Sequence, residues 1–102
     1  MVNSYSKSLK GKVVKWMSYS DLSNFCQHIK QEISCKIILI NTKTNCIANP
    51  KSLLSTLNLH VMTGDELEIA LISSSENELI FCYEKAKEIF GEFIKYEKIL
   101  KI

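Results

Sequence analysis

Residues 47–71, IANPKSLLSTLNLHVMTGDELEIAL, decide the fold. Asn49-Pro50 is a helix-start signal, because Asn caps a helix and Pro suits its first position. Lys51 and Ser52 follow in the first turn. Leu53, Leu54, Leu57 and Leu59 then place large apolar groups over about two turns, more than one face of a short helix can bury. Thr63-Gly64-Asp65 is turn chemistry. Glu66, Glu68 and Ala70 alternate with Leu67, Ile69 and Leu71, the period of a strand with one wet face. The stretch therefore reads as a strand end, a short helix, a tight turn and a strand.

Upstream, residues 1–10 are polar and Ser-rich and read as a flexible N-terminal arm. Lys12 to Met17, with Val13, Val14, Trp16 and Met17, reads as the first strand. Ser20 or Asp21 caps a helix running to about Glu32. Its Leu22, Phe25, Cys26, Ile29 and Ile33 share one face. Lys36 to Ile40 is a short apolar strand, Asn41 to Asn45 a polar hairpin link, and Cys46 to Ala48 a returning strand.

Downstream, Ser73 to Ser75 ends a strand, and Ser75 with Glu78 fits a capping box. The last helix sets Leu79, Cys82, Ala86, Ile89, Phe90 and Phe93 on one face, with Gly91 as its weak point. Residues 94–102 form an apolar C-terminal extension that either lengthens the helix, packs on its own domain or joins a second copy as a homodimer.

The order is β-α-β-β-α-β-α. Short hairpin links favour antiparallel pairing, and three amphipathic helices cover one face of a sheet. The expected fold class is α+β: an open-faced sandwich with a four-stranded antiparallel sheet, built as one domain over residues 1–102.

The charge is +2 and uneven: residues 1–51 carry eight lysines against Asp21 and Glu32, whereas residues 52–102 carry five lysines against nine acids. There is no arginine in the chain. Arginine is the usual bidentate reader of guanine and phosphate, so direct nucleic-acid binding is not expected. Apolar runs are too short for a membrane span. The N-terminus lacks a signal-peptide core, so the cytoplasm is the expected compartment. Cys26, Cys35, Cys46 and Cys82 contain no Cys-x-x-Cys pair, which points to free thiols rather than to a metal site. No nucleophile–base pair, Gly-rich phosphate loop or paired-carboxylate motif stands out, so neither catalysis nor a cofactor is expected.

The central stretch resembles the second half of HPr, the small phosphocarrier of the bacterial sugar phosphotransferase system. Lys51, Ser52, Leu53, Leu54, Leu57, Leu59, Gly64, Asp65, Leu67 and Ile69 carry the likeness. The family has the same order of elements, which extends the resemblance over roughly Lys12 to Phe90. It also implies a histidine at the start of the first helix, with an arginine two residues on and then a proline, to carry and hold a phosphoryl group. Here the matching segment is Met17-Ser18-Tyr19-Ser20-Asp21, with none of the three and with an acid where phosphate would sit.

The family's regulatory serine does have a counterpart in Ser52. The resemblance is therefore to the histidine-less, catabolite-repression branch. It implies phosphorylation of Ser52 by an HPr kinase-like enzyme and binding to a LacI-type repressor, with Lys51, Leu53, Leu54 and Leu57 as the docking surface. The alternatives are an active carrier using a displaced histidine, His28 or His60, and a structural or oligomeric domain in which Ser52 is only a helix cap.

Overall fold

The computed structural model describes residues 4–97. The elements are β1 (Tyr5–Val13), α1 (Tyr19–Glu32), β2 (Lys36–Asn41), β3 (Cys46–Ala48), α2 (Leu53–Leu57), β4 (Glu66–Ser73), α3 (Glu76–Phe90) and β5 (Ile94–Tyr96). The strands form one sheet in the order β3-β2-β4-β1-β5, and every neighbouring pair is antiparallel. The fold is α+β with three helices, as expected, but the sheet has five strands rather than four.

The fifth strand comes from the C-terminal extension. Gly91 caps α3 and the chain turns back. Phe93 and Ile94 are buried, and residues 94–96 pair with Val13, Lys12 and Gly11 of β1. A side chain at Gly11 would not fit: its Cβ would lie 2.5 Å from Ile94 Cγ2 and 2.6 Å from the Lys95 carbonyl oxygen. The absent Cβ thus lets β5 close on β1. The rest of the extension, 98–102, lies outside the described residues, so the expected homodimer contact there does too.

The N-terminal expectation also needs correction. The first strand begins at Tyr5, not Lys12, so residues 5–10 are not a flexible arm. Residues 5–12 pair with 73–66 of β4. Leu9 and Val13 are buried on the helix side, while Ser6, Ser8, Lys10 and Lys12 point outward. Serine and lysine at the outward positions hide the strand's period. Trp16 and Met17, expected in that strand, lie in the loop before α1 and pack against the core.

Ser18, two residues earlier than expected, caps α1: its Oγ accepts the Asp21 N–H at 3.3 Å. Leu22, Phe25, Cys26 and Ile29 are buried as the pattern predicts. Ser75 caps α3 by accepting the Glu78 N–H at 3.3 Å. The Glu78 carboxylate does not complete the box, because it accepts from Ser73 Oγ at 2.7 Å and from Ser34 Oγ at 3.2 Å.

Helices cover one face of the sheet. Ile37, Leu39, Leu67, Ile69 and Leu71 point into that buried layer. Phe25, Phe90 and Phe93 meet there edge to face, with centroids 5.1–5.5 Å apart, and Trp16 adds an edge contact to Phe93 at 5.6 Å. Such pairs contribute about 0.5–1.5 kcal/mol beyond their buried area. At the opposite end, fully buried Asn41 donates to the Leu59 carbonyl at 3.3 Å and to Asp65 Oδ2 at 3.2 Å. Asp65 also accepts the Met62 N–H at 2.9 Å. These bonds hold the turn after α2 to the sheet and thereby set where α2 lies.

Candidate functional site

The site predicted around Ser52 is built by a turn and one short helix. Asn49 Oδ1 accepts the Lys51 N–H at 3.0 Å, and the Asn49 carbonyl accepts the Ser52 N–H at 2.9 Å. Pro50 is buried inside this turn and is not the first residue of the helix. Ser52 itself is the N-cap. Its backbone is extended, at φ −114° and ψ 122°, and its Oγ accepts the Ser55 N–H at 3.3 Å. Its carbonyl receives the Thr56 N–H at 3.0 Å and the Thr56 hydroxyl at 2.8 Å.

Ser52 is half-buried. The predicted docking residues around it divide by exposure. Leu54 is 75% exposed, whereas Leu53 and Leu57 are half-buried against the core. Lys51 does not lie open beside the serine: its Nζ donates to the Cys35 carbonyl at 3.0 Å. With five residues, α2 gives its N-terminus little macrodipole. A phosphate on Ser52 would therefore be held by local N–H groups rather than by the helix as a whole.

Ser55 was not singled out from the sequence. Its Oγ accepts the Asn49 N–H at 2.8 Å and so braces the turn that carries Lys51 and Ser52. Beside it a hollow of about 470 Å³ is lined by Lys36, Ile38, Ile47, Asn49, Lys51 and Ser55. Ile47 on β3 is 68% exposed. The signal available in the sequence was Ile47 itself, an isoleucine on a three-residue strand at the sheet edge.

Neither histidine is brought to Ser52 or to the start of α1. His28 is exposed on the later half of α1, along an open groove of about 950 Å³. Lys15, Trp16, Ser18 and Phe93 line that groove too, but so do Asp21, Glu88 and Glu92, which oppose an anion. His60 is exposed with φ +50°, and its N–H donates to the Leu57 carbonyl at 3.3 Å, closing the end of α2. It is the residue that turns the chain after the helix.

The four cysteines are free, three buried and Cys46 exposed. Burial pushes the Cys26 thiol up, partly offset by its contact with Thr56 Oγ1 at 3.7 Å. Burial likewise pushes Cys35 up to about 12, aided by Cys82 beside it. At Cys82 burial acts upward, but hydrogen bonding from the Cys35 N–H, the Ser34 hydroxyl, the Cys35 thiol and the Ser34 N–H outweighs it and brings the thiol down. Among the described residues, no helix is long and apolar enough to cross a membrane.

No protein-family model and no curated protein matches the chain. Among solved structures it is similar to one described as HPr-C-His from Thermoanaerobacter tengcongensis, at 19% sequence identity and a TM-score of 0.48. The match spans 95% of this chain and 99% of the other. That is a likeness of overall shape, and no residue role is carried over from it.

Proposed function

We propose that this chain is a protein-binding regulatory module of the HPr type, acting in sugar transport or carbon catabolite regulation and carrying no phosphohistidine. Ser52 is its modification point and Leu54 the centre of its docking surface. The observation that carries this reading is the exposure of Leu54, 75%, two residues after a half-buried serine that begins a helix. A large aliphatic side chain left in water next to a modifiable hydroxyl is a surface that a partner can read.

The start of α1 supports the same reading. Ser18 and Asp21 occupy it, and it offers neither an imidazole nor a guanidinium to a phosphoryl group. Phosphate at Ser52 would add charge beside Leu54 without rebuilding the fold, because the cap contributes only about 0.5–2 kcal/mol. The expected partners are an HPr kinase-like enzyme and a LacI-type repressor, met in a bacterial cytoplasm.

The test is capture of an HPr-type serine kinase by the wild-type protein and by Leu54→Glu. Capture should fall at least tenfold in the variant while its circular dichroism and melting temperature stay unchanged. Equal capture by both proteins would remove Leu54 from the interface. It would leave Ser52 as a cap in a structural domain.

A further inference from the structure

The open groove between α1 and the end of α3 has a floor and a rim of different chemistry. Phe25 and Phe93 are buried beneath it, and Trp16, Met17 and Ile89 are half-buried along it. Its volume is about 950 Å³. Three exposed carboxylates stand at the rim: Asp21 on α1, Glu88 near the end of α3 and Glu92 just past it. Lys15 and His28 are the basic side chains among them. Further along the same two helices, Lys85 on α3 meets Glu32 on α1 at 4.0 Å. The groove end has no such exchange. Among the described residues the ion pairs are Lys10–Glu66 and Lys85–Glu32, so none of the three rim acids is matched by a lysine.

We propose that this groove docks a basic segment of a partner protein. One large aliphatic side chain of the segment sits against Trp16 and Ile89, and arginine or lysine on either side meets Asp21, Glu88 and Glu92. The apolar floor supplies the gain from leaving water. The rim supplies orientation and charge selection, and a guanidinium can also lie on the indole face.

The shape and the charge exclude other occupants. A small cation in an open groove stays largely in water, where one exposed ion pair contributes little. Phosphate-rich partners meet three like charges. Two copies joined symmetrically through this face would bring their acidic rims together. Strand β5 runs from Val13 towards Lys10, away from Lys15 and Trp16, and does not cover the groove. Neither Ser52 nor Leu54 lines it, so this surface is separate from the one around α2.

Trp16 is the chain's one tryptophan and lines the groove, so its emission reads occupancy directly. The probe is an end-capped synthetic peptide of leucine and arginine, titrated into the full chain at low salt. The expected result is a saturable blue shift, with Kd raised about fivefold in the double variant Glu88→Gln and Glu92→Gln. Both side chains are exposed, so the variant should melt with the wild type. Asp21→Asn, on the other helix, should weaken binding in the same direction. Peptides with glutamate in place of arginine, or serine in place of leucine, should leave the emission unchanged. Equal Kd for wild type and both variants would overturn the proposal, as would an unshifted emission with the basic peptide. So would the same shift from spermidine alone, which would assign the groove to a small cation, or a shift with protein concentration alone, which would assign it to a second copy.

Discussion

Lys51 Nζ donates to the carbonyl of Cys35 at 3.0 Å, so the lysine next to Ser52 is anchored to the residue that leads into β2. The sequence places Lys51 beside the serine as an available cation; the structure uses it to tie the Asn49–Ser52 turn to the loop before β2. A charge-assisted hydrogen bond of this kind contributes about 1.5–3 kcal/mol when buried and less when half-exposed, as here. Lys51→Met should lower stability by about 1 kcal/mol in urea titration. An unchanged midpoint would show that the bond is not retained in solution.

Gly11 should tolerate no side chain. A Cβ there meets the Ile94 side chain and the Lys95 carbonyl at 2.5 and 2.6 Å, and the carbonyl can move only by shifting β5. Gly11→Ala is expected to cost about 1–3 kcal/mol. It should also speed amide exchange selectively at residues 94–96. Wild-type exchange rates in that segment would contradict the account of the fifth strand.

Phe93 ties the same segment to the aromatic layer and is 6% exposed. Phe93→Ala should lower stability by about 3–5 kcal/mol. It also removes the edge contact to Trp16, whose emission should shift to the red before global unfolding. Trp16 is the chain's one tryptophan, so the signal is unambiguous. A small loss of stability with unchanged emission would mean that the aromatic layer does not hold Trp16.

Glu66 on β4 and Glu97 just after β5 shift each other's titration in opposite directions. A hydrogen bond from Glu97 lowers the Glu66 titration, helped by Thr42; the same bond raises Glu97. The signs are opposite. The Glu97 contribution to stability is complete below its unfolded pKa and is lost as pH rises through its raised folded value. The Glu66 contribution is present above its unfolded pKa and is lost as pH falls through its lowered folded value. Carbon-detected NMR should show Glu97 titrating above the ordinary glutamate range and Glu66 below it. Coincident titrations would show that the two carboxyls do not act on each other.

What could be read from the sequence follows from how strongly each segment was patterned. In α1 and α3, Leu22, Phe25, Cys26 and Ile29, and Leu79, Cys82, Ala86 and Phe90, recur at helical spacing, and these are the buried faces. Strand β4 alternates along its length and is found where expected. Strand β1 was misplaced because only Leu9, Gly11 and Val13 of its nine residues are buried. Its outward face is serine and lysine, which by composition alone is indistinguishable from a polar arm.

The site was partly legible for a related reason. Ser52 and the leucines could be read from local order, and the excess of leucines did signal an exposed one. Which leucine is exposed depends on where α2 starts, and Asn49-Pro50 suggested a start too early. Ser52 takes the cap, and Leu54 then faces solvent. The Lys51–Cys35 bond and the Ser34–Cys82 contact join residues far apart in the chain, so no local pattern announces them.

The central claim is that phosphate comes to Ser52 and to neither histidine. Site-resolved phosphate mapping by mass spectrometry at neutral pH tests it directly. One sample is treated with an HPr-type serine kinase and ATP, and another with enzyme I and phosphoenolpyruvate. The predicted result is phosphate on Ser52 in the first sample, absent from Ser52→Ala, and no phosphohistidine in the second. Acid-labile phosphate on His28 or His60, or an unmodified Ser52 in the kinase-treated protein, would contradict the account.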